Sequence, residues 1–180
     1  MTDTTQQFDT ALALCRNVFT AKLADYGPSW RILRPAAVTD QIFIKAKRIR
    51  SLETKGCSAV GEGILPEFIA IVNYGIIGLI QLELGASDTK DIDVDTAVEL
   101  YDRYVATART LMLAKNHDYD EAWRMMRVLS YTDLILMKIE RTKEIEDHCG
   151  QTLVSEGIDA NYMDMVNYAV FGIIKLTENA

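Results

Sequence analysis

Residues 22–34 read KLADYGPSWRILR, and residues 115–127 read KNHDYDEAWRMMR. The shared letters keep a constant spacing of 93 residues, and the identities continue as far as Arg48 and its counterpart Arg141. Eleven of the 27 positions from Lys22 to Arg48 are identical in the two copies, whereas unrelated segments would share about one or two. A period of this length predicts two copies of one supersecondary unit.

The repeat resumes after one inserted residue, at a spacing of 94. Residues 72–74, Val-Asn-Tyr, return as residues 166–168, and the two tryptophans of the chain, Trp30 and Trp123, are counterparts. A unit of this size buries its apolar faces poorly when it is alone. We therefore expect the copies to pack on each other about a pseudo-two-fold axis, like a homodimer joined by a linker.

The predicted fold is all-α. The chain has only three prolines, and apolar residues recur at helical spacing, as they do from Phe8 to Leu23. Each copy is expected to contain three long helices and a short one around its tryptophan. The first repeat is assigned to residues 1–84, the linker to 85–95 and the second repeat to 96–180, and together the repeats would form one compact domain.

Capping and turn residues predict where the helices begin and end. Thr39 is a suitable N-cap for the middle helix of the first copy, and Pro35 would end the short helix before it. The capping box formed by Thr96 and Glu99 would open the second copy. A loop is predicted over residues 56–63 because it is bounded by glycines.

Composition is that of a soluble globular protein, with 49% hydrophobic and 25% charged residues. The net charge is −7 and the isoelectric point is about 4.9. Such a balance argues against nucleic acid as a partner, because binding to a phosphate backbone needs a clustered basic surface. It is compatible with a small nucleotide, which a few locally focused Lys and Arg side chains can hold.

The cysteine content and the apolar segments predict a cytoplasmic protein. Three cysteines without a CxxC pair fit a reducing compartment better than a disulfide framework. The N-terminus lacks the basic residues and apolar run of a signal peptide. The apolar stretches 68–84 and 163–176 are too short and too polar to span a bilayer, so they are interpreted as core helices and no membrane partner is expected.

Polar and aromatic residues at repeated positions form the candidate ligand site. Tryptophan can stack on a nucleobase or anchor a core, and a buried asparagine can meet a ligand or bind a backbone group or its counterpart. Basic residues three apart on one helix can clamp a phosphate, or pair with Asp40 and Asp133 or with Asp25 and Asp118. The candidate substrate-binding residues are Lys22, Asp25, Tyr26, Trp30, Lys45, Arg48, Lys138, Arg141, Asn167 and Tyr168.

These motifs resemble those of a bacterial and phage family, the nucleotide-modification-associated domain family 1, in the tandem form found in Bacteroidetes. The resemblance rests on KxxDYGxxW at residues 22–30, on Lys45 and Arg48 downstream, and on DxxNYA at residues 164–169. That family is similar in turn to the MazG-like and dimeric dUTPase group of all-α nucleoside triphosphate pyrophosphatases. The resemblance implies a MazG-like helical bundle with a role near nucleotide pools or modified nucleotides.

The same resemblance raises the question of magnesium. Members of the pyrophosphatase group hold Mg²⁺ with Glu-x-x-Glu on one helix and Glu-x-x-Asp on the next, whereas here the middle helices carry Lys-x-x-Arg, as at Lys45 and Arg48. Glu156 and Asp164 are the remaining candidates for Mg²⁺ ligands. Because pyrophosphate cleavage depends on the metal, the missing acids argue against hydrolysis.

The two copies also differ in which motif residues they keep. The first keeps Asp-Tyr-Gly at residues 25–27 but has Ala70 in place of Asp164. A composite site would use Asp164, Lys138 and Arg141 together with Lys22, Asp25 and Tyr26 of the other copy, and the alternative is that both sites are degenerate. The expected function is binding of a nucleotide or nucleoside phosphate by a protein that could be a degenerate Mg-dependent pyrophosphatase. The alternative is a non-catalytic helical interaction or dimerisation module, which could form a homo-oligomer.

Overall fold

The computed structural model describes residues 3–56, 61 and 63–178, and in this part of the chain the only regular elements are helices. Each repeat has three long helices and a short 3₁₀ helix that carries the tryptophan, so the predicted all-α tandem repeat is confirmed. The predicted loop over residues 56–63 lies largely outside the described residues. The long helices are α1 (Thr4–Tyr26), α2 (Pro35–Lys55), α3 (Leu65–Leu84), α4 (Val94–Tyr119), α5 (Val128–Asp147) and α6 (Ile158–Glu178), and the short ones are Ser29–Ile32 and Ala122–Met125.

The start of α2 differs from the prediction. The helix begins at Pro35, four residues before the expected N-cap Thr39, because proline in the first helical turn forfeits only an amide that has no intrahelical partner. Thr39 is instead fully buried, and its hydroxyl lies 2.7 Å from both the Tyr162 hydroxyl and Glu146 Oε1. The threonine therefore joins the two repeats instead of capping a helix.

The start of α4 also lies upstream of the prediction. Asp93 is the N-cap, and its carboxylate accepts a hydrogen bond of 2.8 Å from the amide of Thr96. The capping box expected from Thr96 and Glu99 is therefore wrong. An aspartate at this position satisfies one of the free amides of the first turn and carries a charge that the helix dipole favours.

The helices α3 and α6 form the centre of the core, as expected for the two most apolar segments. They pack on each other through glycines: a Cβ added to Gly78 would lie 2.8 Å from the Tyr162 ring, and one added to Gly172 would lie 2.9 Å from the Phe68 ring. These two contacts are counterparts with the repeats exchanged. By length and composition α3 could cross a membrane, but 67% of its apolar window is buried in the protein.

Contacts between the repeats occur in reciprocal pairs. Arg16 binds Asp102 at 2.7 Å, and the counterparts of these residues, Arg109 and Asp9, bind each other at 2.6 Å. The same exchange relates two further sets: Arg50–Asp133 to Lys143–Asp40, and Thr39–Glu146 to Thr132–Glu53. Reciprocal contacts of this kind are what a two-fold axis imposes on an interface.

The segment between the repeats is fastened to the first one. Arg31, 2% exposed, donates to the Asp91 carboxylate and to the carbonyl oxygen of Gly85, each at 2.7 Å. Lys90 donates to the carbonyl oxygen of Tyr26 at 2.6 Å. The linker therefore follows a defined path across the end of α1.

Candidate functional site

A pocket of about 470 Å³ opens in the first repeat where the end of α1, the short helix Ser29–Ile32 and the middle of α3 meet. Its volume lies in the range of small-molecule sites. Aromatic and apolar side chains make most of the wall, and polar groups lie among them. Its lining includes Tyr26, Trp30, Tyr74, Asn73, Lys22, Lys45 and Glu67. We call this the first-repeat pocket.

A pocket of about 280 Å³ lies at the equivalent place in the second repeat. We call it the second-repeat pocket. Most of its wall is formed by counterparts of residues that line the first-repeat pocket, among them Tyr119, Trp123, Tyr168, Asn167 and Lys115. Asp164 also lines it, at the position where the first repeat has Ala70. Two pockets in equivalent places indicate that the cavity is a property of the repeated unit.

Each pocket is lined only by residues of its own repeat. Lys22 and Tyr26 line the first-repeat pocket, and Asp25 is exposed and lines neither. Lys22, Asp25 and Tyr26 therefore do not line either of these pockets together with Asp164, as the composite site would require. The reason is that the copies meet through α3 and α6, which leaves the two aromatic pockets apart.

Both tryptophans are core residues whose side chains also form pocket walls. Trp30 is 8% exposed and Trp123 is 5% exposed, and Trp123 stacks on Phe171 with ring centroids 4.7 Å apart. Neither indole N–H has a hydrogen-bond partner among the described residues. A buried donor without a partner is costly, and each tryptophan carries such a donor.

The two buried asparagines hold the first helix of their own repeat. Asn73 donates to the carbonyl oxygen of Cys15 at 3.1 Å, and Asn167 donates to that of Ala108 at 3.2 Å. They do not bind one another. Tyr101 donates to Asn73 Oδ1 at 2.7 Å, whereas Asn167 Oδ1 has no partner in the described structure.

The missing hydrogen bond has a simple origin in the sequence. The counterpart of Tyr101 is Phe8, which has no hydroxyl group. Both rings are fully buried. The second-repeat pocket therefore retains an unsatisfied amide oxygen in its wall.

The basic pair of α2 is bound by an acid that the sequence analysis overlooked. Glu67 lies 3.3 Å from the Lys45 ammonium and accepts a hydrogen bond from Arg48. Asp40 and Asp133, which the sequence offered as partners, instead pair with Lys143 and Arg50 across the repeat interface.

In the second repeat the acid lies one turn later. Asp164 accepts from Lys115 and from Lys138, each at 2.6 Å. Burial alone would raise the pKa of Asp164, but the hydrogen bonds from the two ammonium groups outweigh this effect and hold its pKa below the ordinary value. Arg141 is exposed, and burial raises the pKa of the neighbouring Tyr168 although Arg141 opposes the rise.

Glu156 and Asp164, the proposed Mg²⁺ ligands, both line a groove of about 700 Å³ that lies beside α4 and the start of α6. Nowhere in residues 3–56, 61 or 63–178 do three or more His, Cys, Asp or Glu side chains form a group that could hold a metal. Both carboxylate oxygens of Asp164 already contact ammonium groups. The donor set therefore does not fit Mg²⁺, which prefers several oxygen ligands in near-octahedral geometry.

Two residues that contact the candidate site, Lys115 and Glu67, were not among the predicted site residues, and only one of them could have been found from the repeat. Lys115 is the counterpart of Lys22 and could have been found from the repeat alone. Glu67 has Asn161 as its counterpart, so it carries no signal of repetition.

A family model described as nucleotide modification associated domain 1 matches the chain twice, at residues 22–82 and 115–176. Each match contains one tryptophan and most of the residues that line one pocket. Comparison with curated proteins and with solved structures produced no match. Because the two matched segments cover more than half of the chain, the protein belongs to the nucleotide modification associated domain 1 family, with two copies of the domain in tandem.

Proposed function

We propose that this protein binds a nucleotide or nucleoside phosphate in at least one of the aromatic pockets of its repeats. The observation that carries the proposal is the combination, in the first-repeat pocket, of aromatic walls from Tyr26, Trp30 and Tyr74 with the cations Lys22 and Lys45. Aromatic faces stack on bases of any sequence, and ammonium groups bind phosphate. The family description is consistent with a role in nucleotide modification.

The proposal concerns binding and includes no hydrolytic step, because Asp164, one of the two candidate Mg²⁺ ligands, is bound by two lysines and the described residues contain no group of acids that could hold a metal. Lys22 supplies an exposed cation beside the aromatic walls of the first-repeat pocket, which suits a ligand that has both an aromatic part and an anionic part.

A thermal-shift screen of nucleotides, with and without Mg²⁺, tests this proposal. A ligand at a hundred times its dissociation constant adds about 2.7 kcal/mol to the free energy of unfolding, which raises the melting temperature measurably. We expect a shift with at least one nucleotide and no dependence on Mg²⁺. Absence of a shift with every nucleotide would overturn the proposal, and a shift that requires Mg²⁺ would restore the metal hypothesis.

A second candidate function is a helical interaction or dimerisation module. Ile32 and its counterpart Met125 are apolar yet 57% and 89% exposed, and Ile44 and its counterpart Met137 are exposed as well. Contiguous exposed apolar patches mark surfaces that contact another protein, and the recurrence of these exposed residues in both repeats is the observation that favours this candidate. Sedimentation equilibrium over a wide concentration range distinguishes the two, since a monomer at every concentration argues against self-association through these residues.

A further inference from the structure

The two pockets differ in where the repeat places its buried acid. In the first repeat Glu67 binds Lys45 and Arg48, and Ala70 stands where the second repeat has Asp164. Lys22 therefore lines the first-repeat pocket without an ion pair or hydrogen bond to any residue that the structure describes. Its ammonium group is exposed and available to an anion.

In the second repeat the acid occupies the position of Ala70. Asp164 bridges Lys115 and Lys138, and Asn161, the counterpart of Glu67, donates to the carbonyl oxygen of Gly157 at 2.8 Å. The cation left over is Arg141, which is exposed and does not line the second-repeat pocket. Both repeats thus hold three cations and one acid, but only the first leaves a cation unpaired in its pocket.

A carboxylate held between two ammonium groups at 2.6 Å has the contacts that a bound phosphate oxygen would have. Asp164 therefore fills from within the protein the place where a ligand's anionic group would bind. The smaller volume of the second-repeat pocket, about 280 Å³ against about 470 Å³, agrees with this difference.

We infer that the two repeats bind different ligand classes. The first-repeat pocket takes a phosphorylated nucleoside, with its phosphate at Lys22. The second-repeat pocket is closed to phosphate by Asp164 and takes at most an uncharged aromatic molecule such as a nucleoside. This inference rests on the proposed function and adds which repeat binds the phosphate, by which residue, and with what stoichiometry.

The test uses isothermal titration of the full chain with the common ribonucleoside and deoxyribonucleoside monophosphates and with the unphosphorylated nucleosides. We expect one monophosphate site per chain. Lys22→Gln, at an exposed position, should weaken binding of the monophosphate about tenfold or more without changing nucleoside binding. The matched variant Lys115→Gln should leave monophosphate affinity unchanged.

Two charge-conserving exchanges move the acid between the repeats. Glu67→Asn with Ala70→Asp gives the first repeat the arrangement of the second, and it should abolish the monophosphate site. Asn161→Glu with Asp164→Ala gives the second repeat the arrangement of the first, and it should raise the stoichiometry from one to two. Circular dichroism verifies the helical content of each variant, and the Lys22 and Lys115 variants decide the matter if an exchange does not fold.

The outcomes separate the inference from the proposed function. Two monophosphate sites in the wild-type chain, equal effects of the Lys22 and Lys115 variants, or equal affinity for nucleoside and monophosphate would overturn the inference alone. If no nucleotide and no nucleoside binds the wild-type chain, the proposed function fails and the inference fails with it.

Discussion

The first-repeat and second-repeat pockets share an aromatic frame, formed by the tryptophan and tyrosines at repeated positions. They differ in the position of the acid that pairs with their cations. Trp30 and Trp123 occupy equivalent places, and each is mostly buried in the core. The acids do not follow the repeat, since Glu67 and Asp164 lie one turn apart in the aligned helices. Packing in the core therefore fixes the position of the tryptophan in both copies. The acid that pairs with the cations can change position between the copies without a change of fold.

The same contrast appears at the inner end of each pocket. Asn73 has both of its amide groups satisfied, while Asn167 lacks the donor that Tyr101 provides to Asn73. A buried polar atom without a partner lowers stability. At this asparagine the second repeat is the less completely satisfied copy, and the difference can be tested by exchanging single residues between counterparts.

The largest expected effect is that of removing either tryptophan, and it shows whether the two side chains have the same structural role. Trp30→Ala and Trp123→Ala should each lower the free energy of unfolding by about 3–5 kcal/mol, because each removes a large buried ring and leaves a cavity. Urea denaturation followed by circular dichroism measures both.

Trp30→Phe and Trp123→Phe are the controls. They keep much of the packing and remove an indole N–H that has no partner among the described residues, so they should cost less than alanine. An alanine variant that stays as stable as the wild type, at either position, would break the structural equivalence of the two tryptophans.

An intermediate effect is expected for the second-repeat acid. Asp164→Asn should cost about 3 kcal/mol at neutral pH, because it leaves the buried ammonium of Lys138 without a counter-charge. The pKa of Asp164 is lowered from 3.8 in the folded state. Its contribution to stability is therefore present above pH 3.8 and is lost as the pH falls through the folded-state pKa.

Denaturation curves from neutral to strongly acidic pH measure this dependence. The wild type should lose stability more steeply than Asp164→Asn below pH 3.8. Glu67→Gln is the matched control, since its cations are more exposed than Lys138 and its cost at neutral pH should be smaller. Parallel acid limbs for Asp164→Asn and the wild type would contradict the assigned ion pairs.

The smallest expected effect is at the inner end of the pockets. Tyr101→Phe should lower the free energy of unfolding by about 1–3 kcal/mol, because Asn73 Oδ1 is then left unpaired. Phe8→Tyr should raise it by about 0.5–1.5 kcal/mol, because the new hydroxyl faces Asn167 Oδ1 by analogy with Tyr101. Thermal denaturation of both variants measures the pair, and a loss of stability in Phe8→Tyr would mean that the second repeat has no room for the hydroxyl.

The tandem architecture could be predicted because identities at constant spacing, such as Trp30 and Trp123, need no knowledge of tertiary contacts. The start of α2 could not, since Pro35 and Thr39 are both favourable near a helix start and local preference does not choose between them. The choice depends on the buried hydrogen bonds of Thr39 to Tyr162 and Glu146, which lie in the other repeat.

The frame of the site was more predictable than its charges. Tyr26, Trp30 and Tyr74 line the first-repeat pocket at positions that the repeat had marked. The partner of Lys45 was not predictable, because Asp40 is closer in sequence than Glu67 but lies against Lys143 of the other repeat. Ion-pair partners follow from which helix faces meet, and that geometry is not encoded in the spacing of the charges.

The linker that Arg31 and Lys90 hold in place has a consequence for how the molecule responds to dilution. Separate copies of such a domain would have to find each other, and their pairing would weaken as the protein concentration fell. A short tether instead gives each copy an effective concentration of the other in the millimolar range. Joined in this way, the two copies stay together at any dilution. A single substitution then changes one pocket and leaves the other unchanged, whereas in a homodimer it would change both.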